Sequence, residues 1–381
     1  MKKPKNASRT GEVALFFGTR PEIIKLSPVI RELQRRKIRF WTGHTGQHYS
    51  YEMDRVFFKE LGLPEPDYAL SGRSTHALRH GAHVGRILAE MEELILSRRP
   101  RVVLVQGDTN SVLAGALVSS KISAASAFSK FEVRLGHVEA GLRSYDREMP
   151  EEINRFIADH LSTYLFAPTR RSRDILIGEG IARSKVHVTG NTIVDAVLQN
   201  LKIAQNKAAE NRLLRQRTRS PYFLMTLHRQ ENVDNPKRLA LILKGLAELR
   251  RKTGIPIYFP MHPRTRKQLE CFGWSLPDGI VELEPLGFFE FLFLESEARL
   301  LLTDSGGVQE EGCILGVPCV TLRLSTERPE TVEAGANRLC GYESKKIVSA
   351  ALRALSTHSS WKNPLGDGKA SRRIIDIIES R

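Results

Sequence analysis

The chain has 381 residues, a hydrophobic fraction of 41%, a formal net charge of +15 and four cysteines. That length is a prior for two domains of ordinary size, and no apolar run is long enough to span a bilayer, so membrane insertion is not expected. Cys271, Cys313, Cys319 and Cys340 show neither CxxC nor zinc spacing, which points to a reduced, cytoplasmic setting with no bound metal. The basic opening, residues 1–10, leads into no apolar core with a cleavage site, so it reads as a disordered tail and not a signal peptide. Strands are expected at 13–17, 39–42, 102–105, 133–137, 164–167 and 186–189, as short apolar runs suited to a parallel sheet buried on both faces. Helices fall between them at 77–96, 111–121 and 151–161, and Pro28 should kink or restart the first helix. The second half repeats the plan, with strands at 222–227, 257–260, 280–283, 299–303 and 318–322 and a helix at 237–251. Between the halves, 202–220 is basic and polar and reads as a helix end with a surface loop. The tail, 369–380, places Ile374, Ile375, Ile377 and Ile378 on one helical stripe that needs a surface to cover.

The alternating order implies α/β domains with parallel sheets, whose ligands sit at the carboxyl ends of strands. Two apolar strands run directly into phosphate-type turns. Residues 13–17 lead into Gly18-Thr19-Arg20-Pro21-Glu22, and 300–303 lead into Asp304-Ser305-Gly306-Gly307. A helix N-terminus with small residues before it offers free backbone N–H groups to an anion. Arg20 adds a fixed cation there, and Pro21 suits the first helical turn. Two such turns, nearly the whole chain apart, suggest two α/β domains facing one nucleotide diphosphate across a cleft. The positive charge is spread along the chain, denser only at 98–101 and 212–219, with no aromatic-interleaved basic motif. A nucleic-acid partner is therefore not expected; a solvated basic surface with an anionic small-ligand site is.

The other strand ends are rich in reactive side chains: Lys25, Gln47 and His48, Asp108 with Asn110, His137, Glu139 and Arg143, then His228, His262 and Glu311. Each has a plain structural alternative. Asp108 or Asn110 could cap the following helix. His137 and Glu139 could pair with Arg143. Glu151 and Glu152, just after Pro150, could complement a helix dipole. No GxGxxG follows the first strand and no P-loop is present, so a bound dinucleotide cofactor is not expected. No DxD pair follows a strand to hold a metal diphosphate.

Together, GTRPEIIKLSPVI (18–30), TGQH (45–48), VQGDTNSVLAGAL (105–117), GHVEAGLRS (136–144), MPEEINR (149–155), HRQEN (228–232), MHPRT (261–265), TDSGGVQEE (303–311) and TERPETVEAG (326–335) resemble the non-hydrolysing UDP-N-acetylglucosamine 2-epimerase family. The motifs stand in family order and span almost the entire chain. After Gln47-His48, the run Tyr49 to Met53 looks like archaeal members, or members acting on diacetamido uronic acids. The resemblance implies a glycosyltransferase-B-like pair of Rossmann-like domains with the active site in the interdomain cleft. The domains would be 11–192, with 367–381 packing back on it, and a UDP-binding domain at 193–366. It implies reversible inversion at C2 of UDP-N-acetylglucosamine by elimination and re-addition of UDP, without a cofactor, in a homodimer. Carried over residue by residue, Lys25, Asp108, Glu139, Glu151 and His228 form the catalytic group. Substrate contacts fall to Arg20, Gln47, His48, Arg143, His228, Ser305, Gly306, Gly307 and Glu311, with Glu311 on the ribose hydroxyls. The alternatives are an epimerase of a related UDP-diacetamido uronic acid, or a retaining UDP-sugar glycosyltransferase of the same fold.

Overall fold

A computed structural model describes residues 13–46, 57–70, 80–125, 131–147, 149–356 and 361–380. The chain divides into two compact units, residues 1–196 with 366–381 and residues 197–365.

The first unit runs β1 (Val13–Phe17), α1 (Arg20–Arg35), β2 (Phe40–His44), β3 (Tyr68–Ala69), α2 (His80–Arg98), β4 (Val102–Gln106), α3 (Asn110–Ala124), β5 (Arg134–Val138), α4 (Pro150–Leu161), β6 (Tyr164–Ala167), α5 (Arg170–Gly178), β7 (Val186–Val188) and α6 (Thr192–Glu210), which continues into the second unit. Its seven strands are parallel, in the order β3-β2-β1-β4-β5-β6-β7. The order reverses between β1 and β4, so the turns after these two strands lie side by side at the crevice where such sheets bind ligands.

The second unit follows with α7 (Arg212–Arg217), β8 (Phe223–Thr226), α8 (Gln230–Val233), α9 (Pro236–Thr253), β9 (Ile257–Pro260), α10 (Pro263–Phe272), β10 (Ile280–Leu283), α11 (Phe288–Glu297), β11 (Leu300–Thr303), α12 (Gly306–Leu315), β12 (Cys319–Thr321), α13 (Pro329–Glu333), β13 (Asn337–Leu339) and α14 (Ser344–Ser356). Its six parallel strands repeat the arrangement, β10-β9-β8-β11-β12-β13, with the reversal between β8 and β11. Neighbouring residues of one strand feed opposite cores. Phe223, Leu300 and Leu302 pack into one cluster, while Leu224 and Leu301 pack into the other. That two-residue period with both faces apolar is why these strands read as unbroken hydrophobic runs.

The expected strands are all present, within two residues at each end. Two more were not anticipated: β3 and β13, of two and three residues, which join the edges of their sheets by backbone pairing. The segment read as a helix end and loop, 202–220, is largely helical, being the end of α6 and then α7. Pro28 does not divide the first helix. The carbonyl that Pro28 leaves without its N–H partner belongs to Ile24, and the buried Ser27 hydroxyl donates to it at 2.8 Å.

The C-terminal helix α15 (Ala370–Glu379) belongs to the first unit. It buries Ile374, Ile375 and Ile378 and packs against α1, where Arg36 meets Asp376 and Glu379. Asp195, itself buried, caps its first turn by accepting from the backbone N–H groups of Ala370 and Ser371.

Candidate active site

In the first unit, the turns after β1 and β4 are tied together by one carboxylate. Glu22 accepts from the Gly18 N–H (2.9 Å), the Thr19 hydroxyl (2.8 Å) and the Thr109 hydroxyl (2.7 Å). Its side chain is buried, and burial pushes its pKa up to about 7 despite these three donors. The cap of α3 is Thr109, and neither Asp108 nor Asn110. Asp108 is thereby left to accept from Arg155, at 3.0 Å and 2.5 Å, with its side chain one-third exposed.

Glu139 follows β5 with φ of 70°, a left-handed conformation that a glutamate rarely adopts. This turn aims a buried carboxylate at Lys25, whose Nζ lies 2.7 Å from both oxygens. Gln106 and Asn191 donate to the same carboxylate. The structural alternative for this segment is thus half right. Arg143 is in ion pairs, but its partners are Asp159 and Glu179, at 2.7 Å and 2.6 Å, and not Glu139. Only 2% of the Arg143 side chain is exposed. His137 is buried between two acceptors, Asp159 Oδ1 and the Gly107 carbonyl, each at 2.7 Å. Burial disfavours its charge, yet Asp159 prevails and holds the imidazole above its ordinary range.

The adjacent glutamates after Pro150 part company. Glu152 is buried and ties the preceding loop, accepting from the Ser144 and Tyr145 N–H groups and from Arg155. Glu151 is exposed and has no hydrogen-bond or ion-pair partner among the described residues. Arg20 opens α1 and lies over the Phe57 ring at 5.9 Å. Gln47 and His48 lie outside the described residues.

The second unit repeats the device. Asp304, after β11, accepts from the backbone N–H groups of His228 (3.1 Å) and Arg229 (2.9 Å) and from the Asn232 amide. These belong to the turn after β8. Asp304 is buried, yet the donors, His228 foremost, hold it below the usual carboxylate range. The His228 ring also meets Asp304, at 3.2 Å, and lies 5.4 Å from the His262 ring. Burial, then the neighbouring His228, lowers His262. Ser305 precedes α12 without capping it through its side chain, so the first N–H groups at Gly306 and Gly307 remain open to an anion. A Cβ at Gly306 would meet nothing within 4 Å. Glu311 lies one turn further along α12, partly exposed. Among the described residues, no group of three or more His, Cys, Asp or Glu could hold a metal ion.

The UDP-N-acetylglucosamine 2-epimerase family model matches residues 31–379. The chain belongs to that family. A UDP-N-acetylglucosamine 2-epimerase of Methanocaldococcus jannaschii is 50% identical over 378 residues, covering 96% of this chain and 98% of the relative. The crystal structure of the epimerase from that organism, in complex with UDP-GlcNAc and UDP, superposes with a TM-score of 0.84 at 50% identity and covers 97% of this chain and 99% of that one. A Neisseria meningitidis epimerase bound to UDP-GlcNAc gives a TM-score of 0.82 at 32% identity, with 97% and 100% covered. The two-domain, glycosyltransferase-B-like α/β fold expected from the sequence is thus the fold of this epimerase family.

Two carboxylates that tie these turns together escaped the sequence reading. Asp304 was read only as part of a turn, and Glu22 only as a residue near the first strand end. The signal for both was their position at a sheet's order reversal, which becomes visible only once the strand order is known.

Proposed function

We propose that the chain interconverts UDP-N-acetylglucosamine and UDP-N-acetylmannosamine by eliminating UDP and adding it back. The C2 proton of the sugar is not acidic, because no carbonyl is attached directly to that carbon. A carboxylate removes this proton while the bond from C1 to the diphosphate breaks, giving a 2-acetamidoglucal and UDP. A proton is then delivered to the other face of C2 as UDP returns to C1. In this reading Glu139 and Glu151 transfer the protons, with Asp108 assisting, and Lys25 fixes and neutralises Glu139. Arg143 anchors the turn that carries Glu139. Arg20, His228 and the open helix start at Ser305, Gly306 and Gly307 take the charge of the leaving diphosphate. Glu311 accepts from the ribose hydroxyls, and Gln47 and His48 contact the sugar nucleotide. The protein acts in the cytoplasm, in keeping with four free cysteines, and as a homodimer.

The observation that most supports this reading is Glu139. A buried carboxylate, held in a strained backbone conformation with a lysine at 2.7 Å, marks a place where geometry is kept at a cost. The test is incubation with UDP-N-acetylglucosamine alone in D₂O. Deuterium should appear at C2 of both epimers, with no acceptor added. A glycosyltransferase would leave C2 untouched. UDP-2,3-diacetamido-2,3-dideoxy-D-glucuronate run beside it decides the sugar. This second sugar is included because a Pseudomonas aeruginosa epimerase of that name is 40% identical over 371 residues, against 50% for the archaeal enzyme.

A further inference from the structure

One buried imidazole in the first unit links the elements that carry Asp108, Glu139 and Glu151. His137 lies on β5, two residues before Glu139. Its Nε2 is 2.7 Å from the Gly107 carbonyl, the peptide that leads into Asp108. Its Nδ1 is 2.7 Å from Asp159 Oδ1 on α4, the helix that opens with Pro150 and Glu151. Both His137 and Asp159 have 0% exposure. The other Asp159 oxygen meets the Arg143 guanidinium at 2.7 Å and accepts from the Gly141 N–H at 3.2 Å. On the neighbouring strands β4 and β6, the residues level with His137 are the apolar Val105 and Leu165.

A neutral imidazole has one N–H donor, and here both ring nitrogens face acceptor oxygens. The neutral ring would aim a lone pair at one of them and leave a buried acceptor unmet. Only the imidazolium fills both bonds, and Asp159 supplies the matching charge. The raised pKa of His137 agrees with this, since Asp159 prevails over burial there. The turn so gripped needs gripping. Gly107 has φ of 82°, and the next carbonyl, that of Asp108, accepts from the Asn154 amide of α4 at 2.9 Å. Two successive carbonyls of the turn are thus held, one from β5 and one from α4. We propose that His137 is a positioning residue: as a doubly protonated imidazolium it clamps the Gly107 carbonyl to α4 and so sets where the Asp108 carboxylate stands for the reaction at C2. The proposal rests on the epimerase reading and on the place of Asp108 within it. His137 acts through the backbone and, being buried, touches no reacting atom.

The test measures deuterium incorporation at C2 of UDP-N-acetylglucosamine in D₂O for wild type, His137→Gln, Asp108→Asn and the double variant, with UDP affinity by calorimetry on each. Glutamine keeps an amide donor in place of two ring donors. His137→Gln should lower exchange about tenfold to a hundredfold by misplacing Asp108, and should keep UDP affinity within about threefold, because the diphosphate site proposed above lies in the second unit. In the Asp108→Asn background the same change should cost no more than about threefold further, because the group it positions is already gone. Losses that multiply in the double variant mean general damage to the first unit and overturn the proposal, as does a wild-type rate in His137→Gln. A wild-type rate in Asp108→Asn overturns the assignment of Asp108, and this inference with it. No exchange in the wild type overturns the epimerase reading itself, and the role given to His137 falls with it. A second measurement does not depend on any variant folding. Nitrogen-15 spectra of histidine-labelled wild type at about pH 7.5, where an ordinary imidazole is mostly neutral, should show one of the eleven histidines with protons on both ring nitrogens, slow to exchange with water. The lack of such a histidine overturns the proposal equally.

Discussion

Glutamine at positions 139 and 151 should separate chemistry from scaffolding, because the two sites differ in what the carboxylate touches. Glu151 is exposed and has no partner among the described residues. Its replacement by Gln should change stability by no more than about 0.5 kcal/mol. Glu139 instead receives Lys25 on both oxygens, with Gln106 and Asn191 as further donors. An amide there turns one acceptor into a donor pointing at an ammonium or another amide. Leaving one such buried group unsatisfied costs about 1–3 kcal/mol, which lowers the melting temperature by several degrees in a domain of this size. If both glutamates move the C2 proton, both variants should lose about 10²–10⁴ in turnover and in deuterium exchange at C2. The loss in Glu151→Gln should come with an unchanged melting curve and undiminished UDP binding. The assay is proton NMR of the sugar in D₂O, with a thermal melt on each preparation. Exchange at C2 near the wild-type rate in Glu151→Gln would refute its role in proton transfer. It would return Glu151 to the status of a first-turn dipole residue.

Three further outcomes are expected. Glu22 has its pKa raised to about 7 from an ordinary value of 4.5, so the folded state binds its proton more tightly than the unfolded state. Its contribution to stability is therefore full below about pH 4.5 and falls as pH rises towards 7, by roughly 3 kcal/mol. Glu22→Gln should remove that slope, and parallel pH–stability curves for the two proteins would contradict it. Arg20→Ala and His228→Ala should each lower turnover about 10²–10³ through the leaving diphosphate, and unchanged kinetics in both folded variants would take them out of the site. Ser27→Ala should cost about 1–2 kcal/mol in a denaturant melt by orphaning the Ile24 carbonyl, against no cost if that carbonyl finds another donor.

The fold was legible because both sheets are buried on two faces, so nearly every strand is a short apolar run that stands out from its helices. The exceptions fail for a physical reason. β3 and β13 are edge strands of two and three residues, too short to show an apolar run. Asn337-Arg338-Leu339 carries no strand pattern at all. Within the site, residue types were legible but their partners were not. Lys25 and Glu139 are 114 positions apart, and nothing local announces that they meet. The division of labour between Glu151 and Glu152 depends on which way α4 turns its first residues.

The two units solve one positioning problem in the same way. A doubly wound sheet creates a crevice at its order reversal, but the turns bordering it are loops, and loops alone hold catalytic groups poorly. In each unit one buried carboxylate spans the two bordering turns. Glu22 joins the Gly18–Thr19 turn to Thr109, and Asp304 joins its own turn to the backbone at His228 and Arg229. The electrostatic outcome differs because the donors differ. Glu22 meets one amide, two neutral hydroxyls and the repelling charge of Asp108, so burial prevails and the proton is held more tightly. Asp304 meets two backbone amides and the His228 ring, so the charge survives burial. The anchor of the first crevice is therefore neutral at low pH. The second keeps its anion beneath the histidine, beside a helix start that Ser305 does not cap through its side chain. The same device thus yields a proton-holding anchor in the first unit and a charged one in the second, and the difference follows from the donors.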